Sequence, residues 1–463
     1  HHDRLGPRAH ALDPLLTGRL PAGGPLHSAA GGGVMKPKVH WVSPIPEATT
    51  DIAHYTYRIL PELAEATDLT VWTDARHWDR STEEFCPVRK IDPHHTLPRD
   101  FAKSGHGDGP DVIFIHIGNS WAYHAGFLQL ARRIPSIIVL HDLAIQEMLF
   151  DAMRFAGFPR ETYEAEMLRW YGEDGLAAAQ DVLSRRSGAN VLSETYPGFH
   201  LTLDHAAAVL SHTPAAFEAV KETGIVPAYQ LDLPFRPSVT APSAKRATDG
   251  PLRLVQFGHI GPNRRLWEVL EALGPLKGEI DFKLDIMGNV WDRSVLSEKL
   301  EQFGLDDHVE VHGFVPEPDL DAALAEAHLV FNLRFPTMGE ASGSQLRIWN
   351  AAAAAVVTDL GWYGSLPDDT VFKIPLEGEI PAMQDLIRRV DADRSLGETL
   401  GKTGRTRLEA RHNPAIYAKG IAQIAECFPE DAAKSLQARR VRETLAKVPH
   451  PTALYDTALK KRL

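Results

Sequence analysis

The chain has 463 residues, a length that predicts two or three domains and excludes a single small binding module. Hydrophobic residues make up 44% and charged residues 24% of the sequence; this is typical of a globular protein, and no apolar run approaches the roughly 18 residues of a membrane span. Lysine and arginine number 49 against 61 acidic residues, and the net charge of −12 argues against nucleic acid as a partner.

The cysteine content bears on the cellular location, and the first residues bear on where the fold begins. Cys86 and Cys427 are the only cysteines, too few for a disulfide framework or a cysteine-rich metal site, which predicts a cytoplasmic protein. Residues 1–34 begin with two histidines and are rich in Gly, Pro and Ala. They are interpreted as a tag or upstream segment outside the fold.

Residues 35–236 show short apolar runs that alternate with amphipathic stretches. Strands are predicted at 39–42, 69–72, 112–115 and 137–140, with a helix over 52–64. This alternation is typical of βαβ units on a parallel sheet. The first domain is therefore predicted to be a doubly wound, Rossmann-like domain.

A stretch rich in Pro, Ser, Ala and Gly at 237–250 is predicted to be the linker to a second domain, 251–429. The same alternation resumes there, with strands predicted at 252–257, 282–287, 309–311, 329–331 and 355–357. Ligands of open parallel sheets bind beyond the carboxyl ends of the strands. Two such domains are expected to face each other across one ligand-binding cleft.

The last part of the chain, 430–463, is predicted to be a basic helical tail. From Lys434 onward it contains eight Lys or Arg and two acidic residues, a net charge of +6 on an acidic protein. Two interpretations remain open: a solvated terminal helix, and contact with an anionic acceptor or with the inner face of a membrane.

The stretch after the predicted strand 329–331 has the strongest functional pattern. Arg334, Glu340 and the turn Ser342-Gly343-Ser344 precede a helix predicted over 345–355. The free N–H groups at a helix start can bind a diphosphate, and Glu340 could accept hydrogen bonds from sugar hydroxyls. Alternatively, Ser342 is only an N-cap and Glu340 only complements the helix dipole.

Two further stretches follow predicted strands. Gly258 lets a ligand approach the backbone, and Arg264 precedes a helix predicted over 267–273, where a guanidinium suits phosphate oxygens; a solvated pair with Arg265 is the alternative. His141 comes directly after strand 137–140, where an active site of an open sheet would lie, and His116 and His124 lie near the end of the preceding strand. A structural histidine is the alternative for His141.

Taken together, these stretches resemble glycosyltransferase family 4, retaining enzymes of the GT-B architecture. The resemblance spans roughly residues 39–429. It rests on His141-Asp142, on Gly258 with Arg264, on the run His312 to Val315 and on Glu340, which matches the first carboxylate of the family's two-glutamate motif. The order of these motifs makes the resemblance specific.

The resemblance implies transfer of a sugar from a nucleotide diphosphate sugar to a hydroxyl, in glycan or polysaccharide synthesis. His141 and Glu340 would be the catalytic residues. The donor would be bound by Gly258, Arg264, the main chain at Val315, Arg334, Ser342, Gly343 and Ser344. Neither a metal nor another cofactor is expected, and the acceptor would be a glycan, a lipid-linked sugar or a small molecule.

The sequence departs from the family at several positions. Ile348 stands where the second glutamate, which binds the ribose, belongs; Asp51 replaces a glycine, His259 an arginine and Arg264 a lysine. Ile348 either reaches the edge of the nucleotide site or faces the core. Two other functions therefore stay open: a non-catalytic protein that binds nucleotide sugars, and another GT-B enzyme such as an epimerase or phosphorylase.

Overall fold

The computed structural model describes residues 36–102, 110–238 and 246–446. The predicted segment 1–34, the middle of the predicted linker and the end of the predicted tail lie outside the described residues. The chain forms two compact units. Unit 1 holds the described residues up to His212, Ala216–Leu231 and the described residues from Ala418, and unit 2 holds Thr213–Ala215 and Asp232–Tyr417.

Unit 1 is built on a parallel sheet. Its strands are β1 (Lys38–Val42), β2 (Asp68–Thr73), β3 (Val88–Lys90), β4 (Asp111–Ile117), β5 (Ser136–Leu140), β6 (Ala206–Ser211) and β7 (Ala228–Gln230). Their order in the sheet is β3-β2-β1-β4-β5-β6-β7. Every residue of β1, β5 and β6 is buried, as expected for a parallel sheet covered on both faces. The four predicted strands are confirmed, and β3, β6 and β7 were not predicted.

Helices cover this sheet and supply its apolar core. They are α1 (Asp51–Ala66), α2 (Pro98–Ala102), α3 (Trp121–Ala131), α4 (Gln146–Phe155), α5 (Arg160–Leu183), α6 (Ala189–Thr195) and α7 (Pro214–Glu222). In α5 the chain bends at Gly172, whose φ of 70° lies in the left-handed region that glycine tolerates. The core packs α3 and α4 against β4 and β5 through residues such as Phe127 and Met148.

Unit 2 has the same architecture. Its strands are β8 (Leu252–Ile260), β9 (Phe282–Val290), β10 (Val309–Gly313), β11 (Leu329–Phe331), β12 (Ala355–Thr358) and β13 (Phe372–Ile374), in the parallel order β10-β9-β8-β11-β12-β13. Its helices are α8 (Leu266–Leu273), α9 (Arg293–Phe303), α10 (Glu317–Glu326), α11 (Gly343–Asn350), α12 (Gly361–Gly364), α13 (Glu379–Ala392) and α14 (Ser395–Arg411). The helix predicted over 345–355 is too long: it ends at Asn350, because Ala352 takes a φ of 49° and Ala355 enters β12.

The last helix, α15 (Pro414–Ala446), belongs to unit 1 from Ala418 onward. Ser435 Oγ donates to the carbonyl of Ala207 (2.6 Å) and Tyr229 donates to Asp431 (2.7 Å). The described part of the basic tail is therefore packed against the sheet of unit 1. No helix in the described ranges is both long enough and apolar enough to cross a membrane.

Candidate functional site

The predicted donor-binding residues of unit 2 come from loops that follow neighbouring strands. Because β8 and β11 are adjacent and parallel, the loops after them lie at the same edge of the sheet. The N–H of Phe335, in the β11 loop, donates to the carbonyl of Asn263, in the β8 loop, at 2.9 Å. The structure thus joins the stretch of Arg264 to the stretch of Glu340.

Gly258 has a structural reason to be glycine and also faces open space. Its φ is 97°, and a Cβ on its neighbour Gly288 in β9 would lie 1.9 Å from the Gly258 carbonyl oxygen. The close approach of the two strands therefore requires glycine at Gly288, whereas the positive φ is what favours glycine at Gly258. Apart from adjacent residues in the chain and the backbone of α11 itself, no described atom lies within 4 Å of the Cβ positions of Gly258 and Gly343, so a ligand has room to reach the backbone at both.

The Arg264 guanidinium lies inside unit 2. Arg264 is only 3% exposed, its Nη2 donates to the carbonyl of Phe257 (3.1 Å), and its own carbonyl accepts from Gln256 Nε2 (2.9 Å). Arg265 forms ion pairs with Glu268 (3.0 Å) and Glu379. The alternative of a solvated arginine pair is therefore wrong. A positive charge that is buried at this edge is weakly screened and can attract an anion strongly.

Glu340 is held by its own loop. Its Oε2 accepts from Thr337 Oγ1 (2.8 Å) and from the N–H of Met338 (2.7 Å), and its Oε1 lies 3.4 Å from Arg334 Nε. Arg334 Nε also donates to the hydroxyl of Tyr363 (3.2 Å). An ionised carboxylate has about four acceptor positions, so Glu340 keeps capacity for a ligand hydroxyl while its orientation is fixed.

The start of α11 combines a capping side chain with backbone amides that have no acceptor among the described residues. Ser342 is the N-cap, and its Oγ accepts from the N–H of Gln345 (3.1 Å). The capping role that was the alternative for Ser342 is therefore present, but it uses only one of the orphan donors of the first turn. The amides of Gly343 and Ser344 precede that bond and lie beside the open space at Gly343.

Sequence reasoning missed two polar residues beneath this turn. Asn332 and Gln345 are both fully buried, and Asn332 Nδ2 donates to Gln345 Oε1 (3.0 Å). Asn332 follows a buried strand directly, which is the signal that could have found it. The pair connects the end of β11 to the first turn of α11 and so fixes the turn that carries Ser342.

Ile348 faces the core. It is 0% exposed and packs in an apolar cluster that includes Leu346, Trp349 and Val357. The interpretation that places Ile348 at the nucleotide edge is therefore wrong, because the helix turns this position inward. Arg347 is no substitute ligand either, since it pairs with Glu317 (3.0 Å) and Asp321 (2.9 Å) of α10.

Val315 lies farther along the same edge. It follows β10, which β9 separates from β8, and its neighbour Phe314 is 82% exposed. Close to Val315 in the sequence lies His312, one of three described residues whose possible metal-ligand atoms lie within 4.8 Å of one another. The other two are Asp285 and Glu310. His312 Nε2 is already within hydrogen-bond distance of Asp285 Oδ1 (2.8 Å), so a hydrogen bond between these side chains explains the group.

In unit 1, buried histidines converge at the carboxyl edge of the sheet. His141 stacks on His116 with ring centroids 5.3 Å apart, and its ring lies 5.1 Å from that of His212 and 5.0 Å from that of Tyr55. His124 Nδ1 donates to the carbonyl of His116 (3.0 Å). His212 and Tyr55 were not predicted. His212 directly follows the buried strand β6, which is the same signal that identified His141.

The rings of His116, His124 and His141 are neutral at pH 7. Burial lowers the pKa of His116 to about 3 and that of His124 to about 4, and burial together with the neighbouring histidines lowers the pKa of His141 well below its usual value. His116 Nδ1 donates to the carbonyl of Val42 (2.8 Å), which leaves Nε2 as an acceptor. Within the described residues, His141 Nε2 is buried without a hydrogen-bond partner, so it can bond a ligand hydroxyl.

Comparisons with known proteins agree with this architecture. Residues 240–344 match the family model of the glycosyl transferases group 1, and no curated protein matches the chain in sequence. Sucrose-phosphate synthase from Thermosynechococcus elongatus aligns at 15% identity over 84% of this chain and 98% of its own, with a TM-score of 0.54. HepE from Anabaena, solved with UDP and glucose, aligns at 13% identity over 85% and 99%, with a TM-score of 0.53.

The protein has the GT-B fold. WaaG, a glycosyltransferase involved in lipopolysaccharide biosynthesis, aligns at 14% identity over 83% of this chain and 99% of its own, with a TM-score of 0.50. In this GT-B fold the matched residues 240–344 run from before β8 to the first residues of α11. They therefore contain both loops that the Phe335–Asn263 hydrogen bond joins.

Proposed function

We propose that the protein is a retaining glycosyltransferase of family 4. It would transfer a sugar from a nucleotide diphosphate sugar to a hydroxyl of a glycan, lipid-linked or small-molecule acceptor. The observation that carries the proposal is the joined pair of loops in unit 2, which brings Arg264, Glu340 and the first amides of α11 to one edge of the sheet, with open space at Gly258 and Gly343. The family match over the same residues and the UDP in the HepE structure support a nucleotide-sugar donor.

The chemistry of the proposed reaction matches this set of residues. As the glycosidic bond breaks, the leaving diphosphate gains negative charge, and preorganised donors that meet this charge lower the barrier. The buried Arg264 guanidinium and the first amides of α11 are such donors, and with them the reaction needs no metal. Glu340, held in place by Thr337 and Met338, would orient the sugar hydroxyls.

His141 is assigned to the sugar in this proposal. A neutral imidazole can donate or accept a hydrogen bond without bringing a charge near the reacting carbon. Its neighbours His116 and Tyr55 fix the ring by packing, so the bond costs little ordering entropy. No side chain is proposed as a nucleophile.

A binding screen followed by product analysis tests the proposal. Calorimetry with UDP, GDP, ADP and CDP identifies the base, and mass spectrometry with the matching sugar donors and a panel of acceptors identifies the product. A new glycoside is expected. An isomerised donor would indicate an epimerase, and release of a sugar 1-phosphate from a glycoside and phosphate would indicate a phosphorylase; either result would refute transfer.

A non-catalytic binding protein is the second candidate, because α11 offers no carboxylate for a ribose. Ile348 is in the core, and Gln345 and Arg347 bond protein partners. This candidate predicts nucleotide binding with neither transfer nor hydrolysis for any donor. For the nucleotide binding of the variant Arg264→Ala, Arg253→Ala is the matched control. Arg253 is half exposed, lies at the opposite end of β8 and pairs with Glu326.

A further inference from the structure

A small cavity lies between α15 and the opposite edge of the unit 1 sheet. It measures about 250 Å³, and its wall includes Arg169, Trp170, Asp204, Arg439, Arg442 and Glu443; we call it the Trp170 pocket. Asp204 lies just before β6, at the amino-terminal edge of the sheet, whereas the histidines follow the carboxyl ends of the strands. The pocket is therefore separate from the proposed active site.

The pocket has an excess of positive charge. Arg132 and Arg169 share the carboxylates of Glu166 and Asp204, at distances from 2.7 to 3.4 Å. Arg439 and Arg442 add two guanidiniums that form no close ion pair with these acids among the described residues, although Asp204 attracts both at longer range. Glu443, exposed on the rim, offsets one of them, so a net positive charge remains in a half-buried position.

Among the described residues of the pocket, Arg442 contacts an aromatic ring and forms no close polar contact. Its guanidinium lies over the Trp170 ring, 3.9 Å from the centroid, and the Arg169 guanidinium lies 4.9 Å from the same centroid. Arg439, by contrast, donates to the carbonyls of Ala206 (2.9 Å) and Leu203 (3.4 Å). Within the described residues no oxygen accepts a hydrogen bond from Arg442, and burial, together with the charge of Arg169, lowers the pKa of its guanidinium.

A stacked guanidinium keeps its N–H edge available, and that edge fits two oxygens of a phosphate. The pocket is smaller than the roughly 300–1,000 Å³ of a typical ligand site, so it suits a single oxyanion group better than a nucleotide sugar. We propose that the Trp170 pocket binds a phosphate group through Arg442, with Arg169 and Arg439 adding charge. This site is independent of the proposed transfer reaction.

Calorimetric titration of the full chain with inorganic phosphate, at constant ionic strength, tests the site. Arg442→Gln should weaken phosphate binding about tenfold or more, as expected for loss of a charge-assisted bidentate contact. Glu443→Gln should strengthen it, because a repelling charge is removed without touching the stack. Arg440→Gln is the matched control, since Arg440 is exposed on the same helix, and should leave the affinity unchanged.

The comparison among variants separates this site from others. Phosphate bound at the proposed donor site should not depend on Arg442, so the test relies on differences in phosphate affinity between variants. The melting temperature shows whether Arg442→Gln stays folded. Equal affinities for the wild type, Arg442→Gln and Glu443→Gln would overturn the proposal and leave Arg442 as a helix-docking residue. So would the absence of phosphate binding together with the absence of vesicle binding.

Vesicles identify the source of the phosphate group. Sedimentation with phosphatidylglycerol vesicles that depends on Arg442 but not on Arg440 would support a lipid headgroup as the ligand. Phosphate binding that depends on Arg442 without sedimentation would support a free phosphate. Sedimentation that falls equally in Arg442→Gln and Arg440→Gln would indicate only general attraction to the basic helix, and would contradict a specific site.

Discussion

Replacing Ile348 by glutamate should destabilise unit 2 strongly. Ile348 is 0% exposed, and a buried glutamate has a pKa of about 8–9, so it would be protonated at pH 7. Holding it neutral 2.7 pH units above its usual pKa of about 4.3 costs about 3.7 kcal/mol. Lost apolar burial adds about 1–3 kcal/mol, and an unpaired buried carboxyl about 1–3 kcal/mol. The total loss of about 6–10 kcal/mol is comparable to the whole free energy of unfolding of a domain.

Urea unfolding followed by tryptophan fluorescence measures this loss, because Trp349 lies next to the substitution in the same cluster. Ile348→Met is the control, since a volume-conserving exchange costs less than about 1.5 kcal/mol. The folded pKa of the new carboxyl is raised, so its penalty is small below about pH 4.3 and grows as the pH rises. The difference in the free energy of unfolding between Ile348→Met and Ile348→Glu should therefore shrink by about 2.7 kcal/mol from pH 7 to pH 5. Equal midpoints with tighter nucleotide binding would refute the core position and restore a ribose site.

Three further predictions concern the charged and titratable residues of the two units. Arg264→Ala should weaken nucleoside diphosphate binding by about 1.5–3 kcal/mol, roughly 10- to 150-fold, whereas Arg264→Lys should retain most of it; calorimetry with unchanged affinity for the alanine variant would exclude the phosphate contact. His141→Ala should reduce kcat far more than donor affinity in steady-state kinetics; equal losses, or a large fall in melting temperature, would indicate a structural histidine. The pKa values of His116 and His124 in the folded chain lie below the value of about 6.5 in the unfolded chain. The free energy of unfolding, followed by the melting temperature, should therefore be highest above about pH 6.5 and should fall as the pH drops toward 4. His124→Asn, whose amide can replace the Nδ1 donor, should make that loss of melting temperature shallower, and an identical pH profile would contradict the assignment.

Most of the parallel sheet could be predicted from hydrophobic runs, but small residues concealed part of it. The runs at β1, β4 and β5 are rich in Val and Ile, which favour strands. In β6 the sequence Ala-Ala-Ala-Val-Leu-Ser is ambiguous, because alanine also favours helices. His212 was missed for this reason: without β6, no strand end was available to place it beside His141.

The partition between units could not be read from composition. The residues after 417 look like the end of the second domain followed by a basic tail, because periodicity shows that a helix is amphipathic but not which sheet it covers. Its position in unit 1 depends on long-range contacts, such as Ser435 with Ala207 and Arg439 with Ala206. These partners lie more than 200 residues away in the chain.

The residue types of the candidate site were predictable, but their partners were not, and the partners decide the electrostatics. From sequence, Glu340 beside a diphosphate is a repelling charge, and Arg334 is simply a nearby cation. The structure places the Arg334 Nε 3.4 Å from the Glu340 carboxylate and adds two donors from Thr337 and Met338 to it. Hydrogen bonds and a cation of this kind reduce the field that an ionised carboxylate projects toward an anion. The loop can therefore hold a fixed acceptor that repels a nearby anion less than a bare carboxylate would.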